Sequence, residues 1–100
     1  MLGARQSERA DRVEALDRVR AWTRERFRLG SHASIMVTEV ACGLPGCPPI
    51  ETVVVFWSED ETRHQFKLFK PAREVAVDDL PPAWLKPALV VDENAGFECC

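Results

Sequence analysis

"IETVVVFWSEDETRHQFKLFK", residues 50–70, decides the fold of this 100-residue chain. Its first eight residues form a nearly unbroken apolar run of strand length, as expected of a central strand buried on both faces. Residues 63–70 alternate instead, with His64, Phe66 and Leu68 on one face and Arg63, Gln65, Lys67 and Phe69 on the other. The polar stretch "SEDET" (58–62) separates them, so the pair reads as an antiparallel hairpin, without the Asn-Gly signal of the tightest turns. Upstream, "SIMVTEVAC" (34–42) is β-branched and roughly alternating, and supplies a third strand.

The flanks read as helices. Over residues 7–29, Val13, Leu16, Val19, Trp22 or Thr23, and Phe27 recur at three- and four-residue spacing, the stripe of a helix that faces a core. Ser7 and Glu8 suit its start, Arg24, Arg26 and Arg28 suit its negative C-terminal end, and Gly30 is the expected stop. Pro71 ends the third strand. "VDDLPPAWLKPAL" (77–89) reads as a short final helix capped by Asp78 or Asp79, docking Leu80, Trp84 and Leu85 on the sheet and limited by Pro87. Trp22, Trp57 and Trp84 are all expected in the core. The expected architecture is a single α+β domain over residues 1–90, a two-layer sandwich, with residues 91–100 as a flexible C-terminal tail. One sheet face meets the helices; the other is either wet or an interface.

Composition narrows the function. A chain of this length makes one domain. A net charge of −3 and a pI of 5.4 argue against a nucleic-acid module, whose phosphate contacts need a basic face. The N-terminus lacks the apolar core of a signal peptide, and no apolar run approaches the roughly 20 residues of a membrane helix. These features lead us to expect a cytoplasmic protein with reduced thiols.

In that compartment, closely spaced cysteines point to metal or redox chemistry before structural disulfides. Cys42 and Cys47 lie in "VACGLPGCPPIE" (40–51), where Gly43 and Gly46 ease the backbone and Pro45, Pro48 and Pro49 stiffen it. Such a loop can turn two sulfurs toward one point, with backbone N–H groups that favour the thiolate. Four intervening residues, rather than two, make this a weaker signal than a zinc knuckle. Cys99 and Cys100 are adjacent at the C-terminus, a poor structural crosslink but a dithiol suited to a soft ion. The four sulfurs could form one tetrahedral site, with His32 or His64 replacing one of the adjacent pair. Zinc, copper(I), an iron–sulfur cluster and no metal at all remain open.

Three resemblances attach to these residues. The vicinal Cys99 and Cys100 resemble, in that respect alone, the C-terminal cysteine pair of mercuric reductases, which delivers metal to a buried site. "ACGLPGCPP" (41–49) resembles the cysteine loop of NifU-type iron–sulfur scaffold domains. That likeness implies Cys42 and Cys47 as cluster ligands, two per chain, and a homodimer around the cluster. The scaffold loops hold two residues between their cysteines and lead into a helix, whereas this loop holds four and leads into a strand. The wider stretch "EVACGLPGCPPIET" (39–52) resembles small uncharacterised bacterial proteins and implies no activity.

Other clusters have plainer readings. Arg63, Lys67, Lys70 and Arg73 suit a solvated edge, or an acidic partner. Glu59, Asp60 and Glu61 suit a solvated turn, since they lack the pattern of a calcium loop. Glu39 and Glu51 flank the cysteine loop as exposed strand residues, a carboxylate pair or partners of metal ligands. No phosphate loop, nucleophile elbow or paired histidines at helical spacing occurs, so catalysis has little support. The expected function is that of a small metal-binding or metal-handling accessory protein, working through Cys42, Cys47, Cys99 and Cys100. The alternatives are a non-catalytic adaptor for a protein partner, and a thiol or redox carrier that docks its C-terminal dithiol into an enzyme.

Overall fold

The computed structural model describes residues 2–41, 43–46 and 49–92, with side chains from residue 9 onward. A long helix, α1 (Leu2–Arg26), precedes three strands, β1 (Ile35–Ala41), β2 (Ile50–Trp57) and β3 (Arg63–Leu68). Three short 3₁₀ helices follow, at Ala72–Glu74, Val77–Asp79 and Ala83–Leu89. The strands form one antiparallel sheet in the order β1-β2-β3, with Val54 of β2 opposite both Val37 and Phe66. The fold is α+β, as the alternation of strand and helix patterns implies. The expected 1–90 domain with a 91–100 tail cannot be followed past Asp92, because residues 93–100 lie outside the described residues.

β2 is the spine of the molecule. All six residues from Glu51 to Phe56 are buried, the outcome its continuous apolar run implied. Val54 and Phe56 face α1 and join Val37, Phe66 and Leu68 of the neighbouring strands. Ala15, Val19 and Phe27 of the helix segment close the layer from above, with Ala72, Val75 and Leu80 at its rim. The Phe27 ring stacks on Phe56 with centroids 5.0 Å apart. Val53 and Val55, on the opposite face, are equally inaccessible.

α1 differs from expectation at both ends and along its stripe. It begins at Leu2 rather than residue 7 and ends at Arg26 rather than residue 29. Its stop is not Gly30 but Arg28, which takes a left-handed conformation at φ 53°. Arg28 N–H donates to Glu25 O (3.2 Å) and Leu29 N–H to Arg24 O (2.9 Å), the paired bonds of a Schellman cap. Phe27, just before the cap, is thereby turned into the core. Val13 is 52% exposed, so the buried stripe is Ala15, Val19, Thr23 and Phe27, with Leu16 and Trp22 packed beside it. Thr23 satisfies its hydroxyl by donating to Val19 O at 2.8 Å.

The short helix expected over 77–89 forms as two 3₁₀ segments, Val77–Asp79 and Ala83–Leu89, rather than one continuous helix. Pro81, Pro82 and Pro87 remove three N–H donors from this stretch, and it folds into 3₁₀ turns. Asp79 still caps, accepting Ala76 N–H at 2.8 Å, while also pairing with Lys70 at 3.1 Å. Leu80 is buried as expected, but Trp84 is 77% exposed and does not dock on the sheet. Trp57 and Trp22 are half-buried. Arg26 holds the segment to the helix end, donating to the carbonyls of Val77, Leu80 and Pro81 at 3.0–3.1 Å.

The β2–β3 turn explains how a hairpin closes without Asn-Gly. Ser58 and Thr62 bracket a three-residue loop, with Ser58 N–H to Thr62 O at 3.1 Å and Glu61 N–H to Ser58 O at 2.9 Å. Glu61 takes φ 64°, the left-handed position of a type I turn with bulge. β1 and β3 are shorter than their sequence patterns, starting at Ile35 and stopping at Leu68 respectively.

Candidate functional site

The sheet has two ends with opposite characters. At one, β1 ends in Ala41 paired directly with Ile50, and the connection 42–49 bridges them. Gly43, Leu44, Pro45 and Gly46 are exposed, and Gly46 adopts φ 87°, a conformation that suits glycine. Cys42, Cys47, Cys99 and Cys100 lie outside the described residues, so no sulfur geometry is assigned. Among the described residues, no three His, Cys, Asp or Glu side chains group closely enough to hold a metal.

The histidines lie away from that end. His64 stands opposite Phe56, six residues along β2 from Ile50, or about 20 Å at strand rise. His32 precedes β1 and lies at the same far end. Both histidines therefore lie at the opposite end of the sheet from the Ala41–Ile50 pair, and the four cysteines one of them was expected to join lie outside the described residues. Glu39 and Glu51 do not form a pair either. Glu39 faces Thr52 while Glu51 faces Val40, so the two carboxylates project to opposite sheet faces. Neither is a free surface group: Glu51 is fully buried, and Glu39 accepts Ala72 N–H at 3.1 Å and pairs with Arg12 at 3.5 Å.

At the far end, a shallow cleft of about 560 Å³ opens between the α1–β1 connection, the β2–β3 turn and the third 3₁₀ helix. Its walls include Arg28, Asp60, His64 and Lys86. His64 is 4% exposed, stacks on Phe56 at 4.7 Å with the rings parallel, and its Nδ1 lies 3.1 Å from Thr62 O. Burial lowers its pKa below 6.5, and nearby Lys86 acts in the same direction, so the neutral ring is favoured. Asp60, at the rim, is held down to about 2 by hydrogen bonds from Ser58 and Thr62. With Asp60 Oδ1 accepting from both the Ser58 hydroxyl and Thr62 N–H, and Glu59 and Glu61 exposed, the acidic stretch is the solvated turn expected from its composition. Nothing in the sequence marks the cleft beyond His64, because its lining comes from three segments that only the fold brings together.

Arg63, Lys67, Lys70 and Arg73 do not form a continuous edge along β3. Arg63 and Lys67 share the face away from α1, Lys70 is paired with Asp79, and Arg73 lies exposed in the first 3₁₀ helix. Among the described residues, no helix is long and apolar enough to cross a membrane. No protein-family model, curated protein or solved structure matches the chain.

Proposed function

We propose that this protein is a thiol-dependent metal-handling accessory protein, with Cys42 and Cys47 as its primary ligands and Cys99 and Cys100 assisting. One observation supports the reading above the others. The connection that carries Cys42 and Cys47 leaves a firmly paired strand end at Ala41–Ile50, and its described residues are exposed, with left-handed Gly46 directly before Cys47. A short, exposed loop on a rigid base is the kind of scaffold that holds two thiolates for a soft ion without folding around it. Zinc and copper(I) suit such a pair, and an iron–sulfur cluster would require two chains.

The test is thermal unfolding of the full chain, purified without chelator, before and after chelation, beside the Cys42→Ser/Cys47→Ser variant. A melting point that falls on chelation in the parent and is insensitive to chelation in the variant supports the reading. A parent that is metal-free, folded and unmoved by chelator rejects it.

A second reading, that of an adaptor for a protein partner, is favoured by the exposure of Trp84 (77%), Phe69 (59%) and Leu44 (57%). It predicts that the double serine variant keeps both its fold and its partner.

A further inference from the structure

The two edges of the sheet are treated differently. β3 is extended by main-chain pairing at its start: Val90 forms a bridge with His64, and Val91 N–H donates to Arg63 O at 3.0 Å. β1 is bare. Trp57 N–H donates to Ser34 O at 3.1 Å, which makes 34/57 a hydrogen-bonded pair. By antiparallel alternation, Met36, Thr38 and Val40 then bond to β2, and Ile35, Val37, Glu39 and Ala41 turn their main-chain groups outward. Arg20 Nε, 3.3 Å from Ile35 O, agrees with that phase. Among the described residues, nothing bonds the outward N–H and C=O groups of Val37, Glu39 or Ala41.

Of the devices that keep edges apart, β1 carries one, the charged Glu39, whose carboxylate is engaged by Arg12 and Ala72. It has no proline, no lysine and no bulge across seven consecutive pairs with β2. We propose that β1 pairs with β1 of a second copy of this chain, antiparallel about a two-fold axis through Thr38. Two three-stranded sheets thereby become one of six.

Phase, charge and overlap select this register, since an axis through Val37 meets the first two but pairs only Ile35 to Glu39 and leaves Val40 and Ala41 unpaired. Outward-facing residues must meet outward-facing residues, so Val37 bonds the partner's Glu39 and Ile35 the partner's Ala41. An axis through Glu39 also satisfies the phase, but it sets two carboxylates directly opposite each other. With the axis at Thr38, each Glu39 lies beside an apolar valine and keeps its own Arg12 and Ala72 partners. On the face away from α1, Met36 meets the partner's Val40 and Thr38 meets the partner's Thr38, extending a half-buried stripe across the axis. The two 42–49 connections fall at opposite ends of the shared pair, about 20 Å apart along the strands. Each chain keeps its own loop, unlike a scaffold dimer that shares one cluster, and the pairing holds whether or not that loop binds metal.

The experiment is sedimentation equilibrium of the full chain beside Thr38→Lys, with residue-resolved amide exchange of the parent at low and high concentration. The account expects a species of twice the 11.3 kDa chain mass. It expects Thr38→Lys, which sets like charges across the axis, to weaken that dimer roughly a hundredfold. It also expects protection of the Val37, Glu39 and Ala41 amides to rise with concentration. A parent that stays monomeric at millimolar concentration overturns the proposal. So does a dimer in which those three amides exchange equally fast at every concentration. If Thr38→Lys fails to fold, the amide pattern of the parent decides alone.

Discussion

The two ends of one sheet behave as different materials. At the turn end, Phe27, Phe56 and His64 stack in sequence, two left-handed residues close the cap and the hairpin, and Arg26 ties down the proline-rich segment. At the loop end, a single paired couple, Ala41 and Ile50, carries a connection whose described residues are all exposed. The described bonds and stacked rings concentrate at the turn end, while Gly43 to Gly46 of the connection are exposed.

The largest effect should come from breaking the rigid end. Phe56 is fully buried between Phe27 and His64, and Phe56→Ala should cost about 3–5 kcal/mol. For a 100-residue domain that is a large share of total stability, so urea unfolding should show a partly unfolded variant. An undiminished midpoint would mean that the aromatic stack does not organise this end.

His64 sharpens the contrast through pH. Its folded pKa lies below the ordinary 6.5, so the unfolded chain binds the extra proton more readily. Its contribution is therefore complete above pH 6.5 and is lost as pH falls from there through the folded value. Melting temperature should drop across that window in the parent, and His64→Leu should flatten the drop. A parent whose melting is level from pH 7 to 5 would contradict the burial assigned to the ring.

A smaller effect, of opposite sign, tests the hairpin. Glu61 pays the left-handed penalty of a residue with a Cβ, at φ 64°. Glu61→Gly should stabilise the chain by about 1 kcal/mol, read as a raised denaturation midpoint. Destabilisation would show that the Glu61 side chain contributes more than its backbone costs.

Much of this was legible in the sequence, for physical reasons that differ by element. β2 announced itself because a strand buried on both faces must be apolar throughout, and β3 because one buried face forces alternation. The end of α1 was misplaced because glycine is the common left-handed residue, and here arginine occupies that position two residues earlier. The final helix is legible in the spacing of Leu80 and Trp84, but the prolines between and after them remove donors and break it into 3₁₀ segments. The exposed Trp84 follows from that break. Glu51 was expected at the surface because carboxylates usually are, yet its place on the central strand buries it. The edge of β1 was invisible, since hydrogen-bond phase depends on pairing and leaves no trace in residue type.

The most direct test of the central claim is the metal-to-chain ratio, measured by elemental analysis on protein purified without chelator. The account predicts a stoichiometric soft metal in the parent, lost in Cys42→Ser/Cys47→Ser while the far-ultraviolet circular dichroism stays unchanged. A folded parent with no metal, or a double variant that retains all of it, would contradict the account.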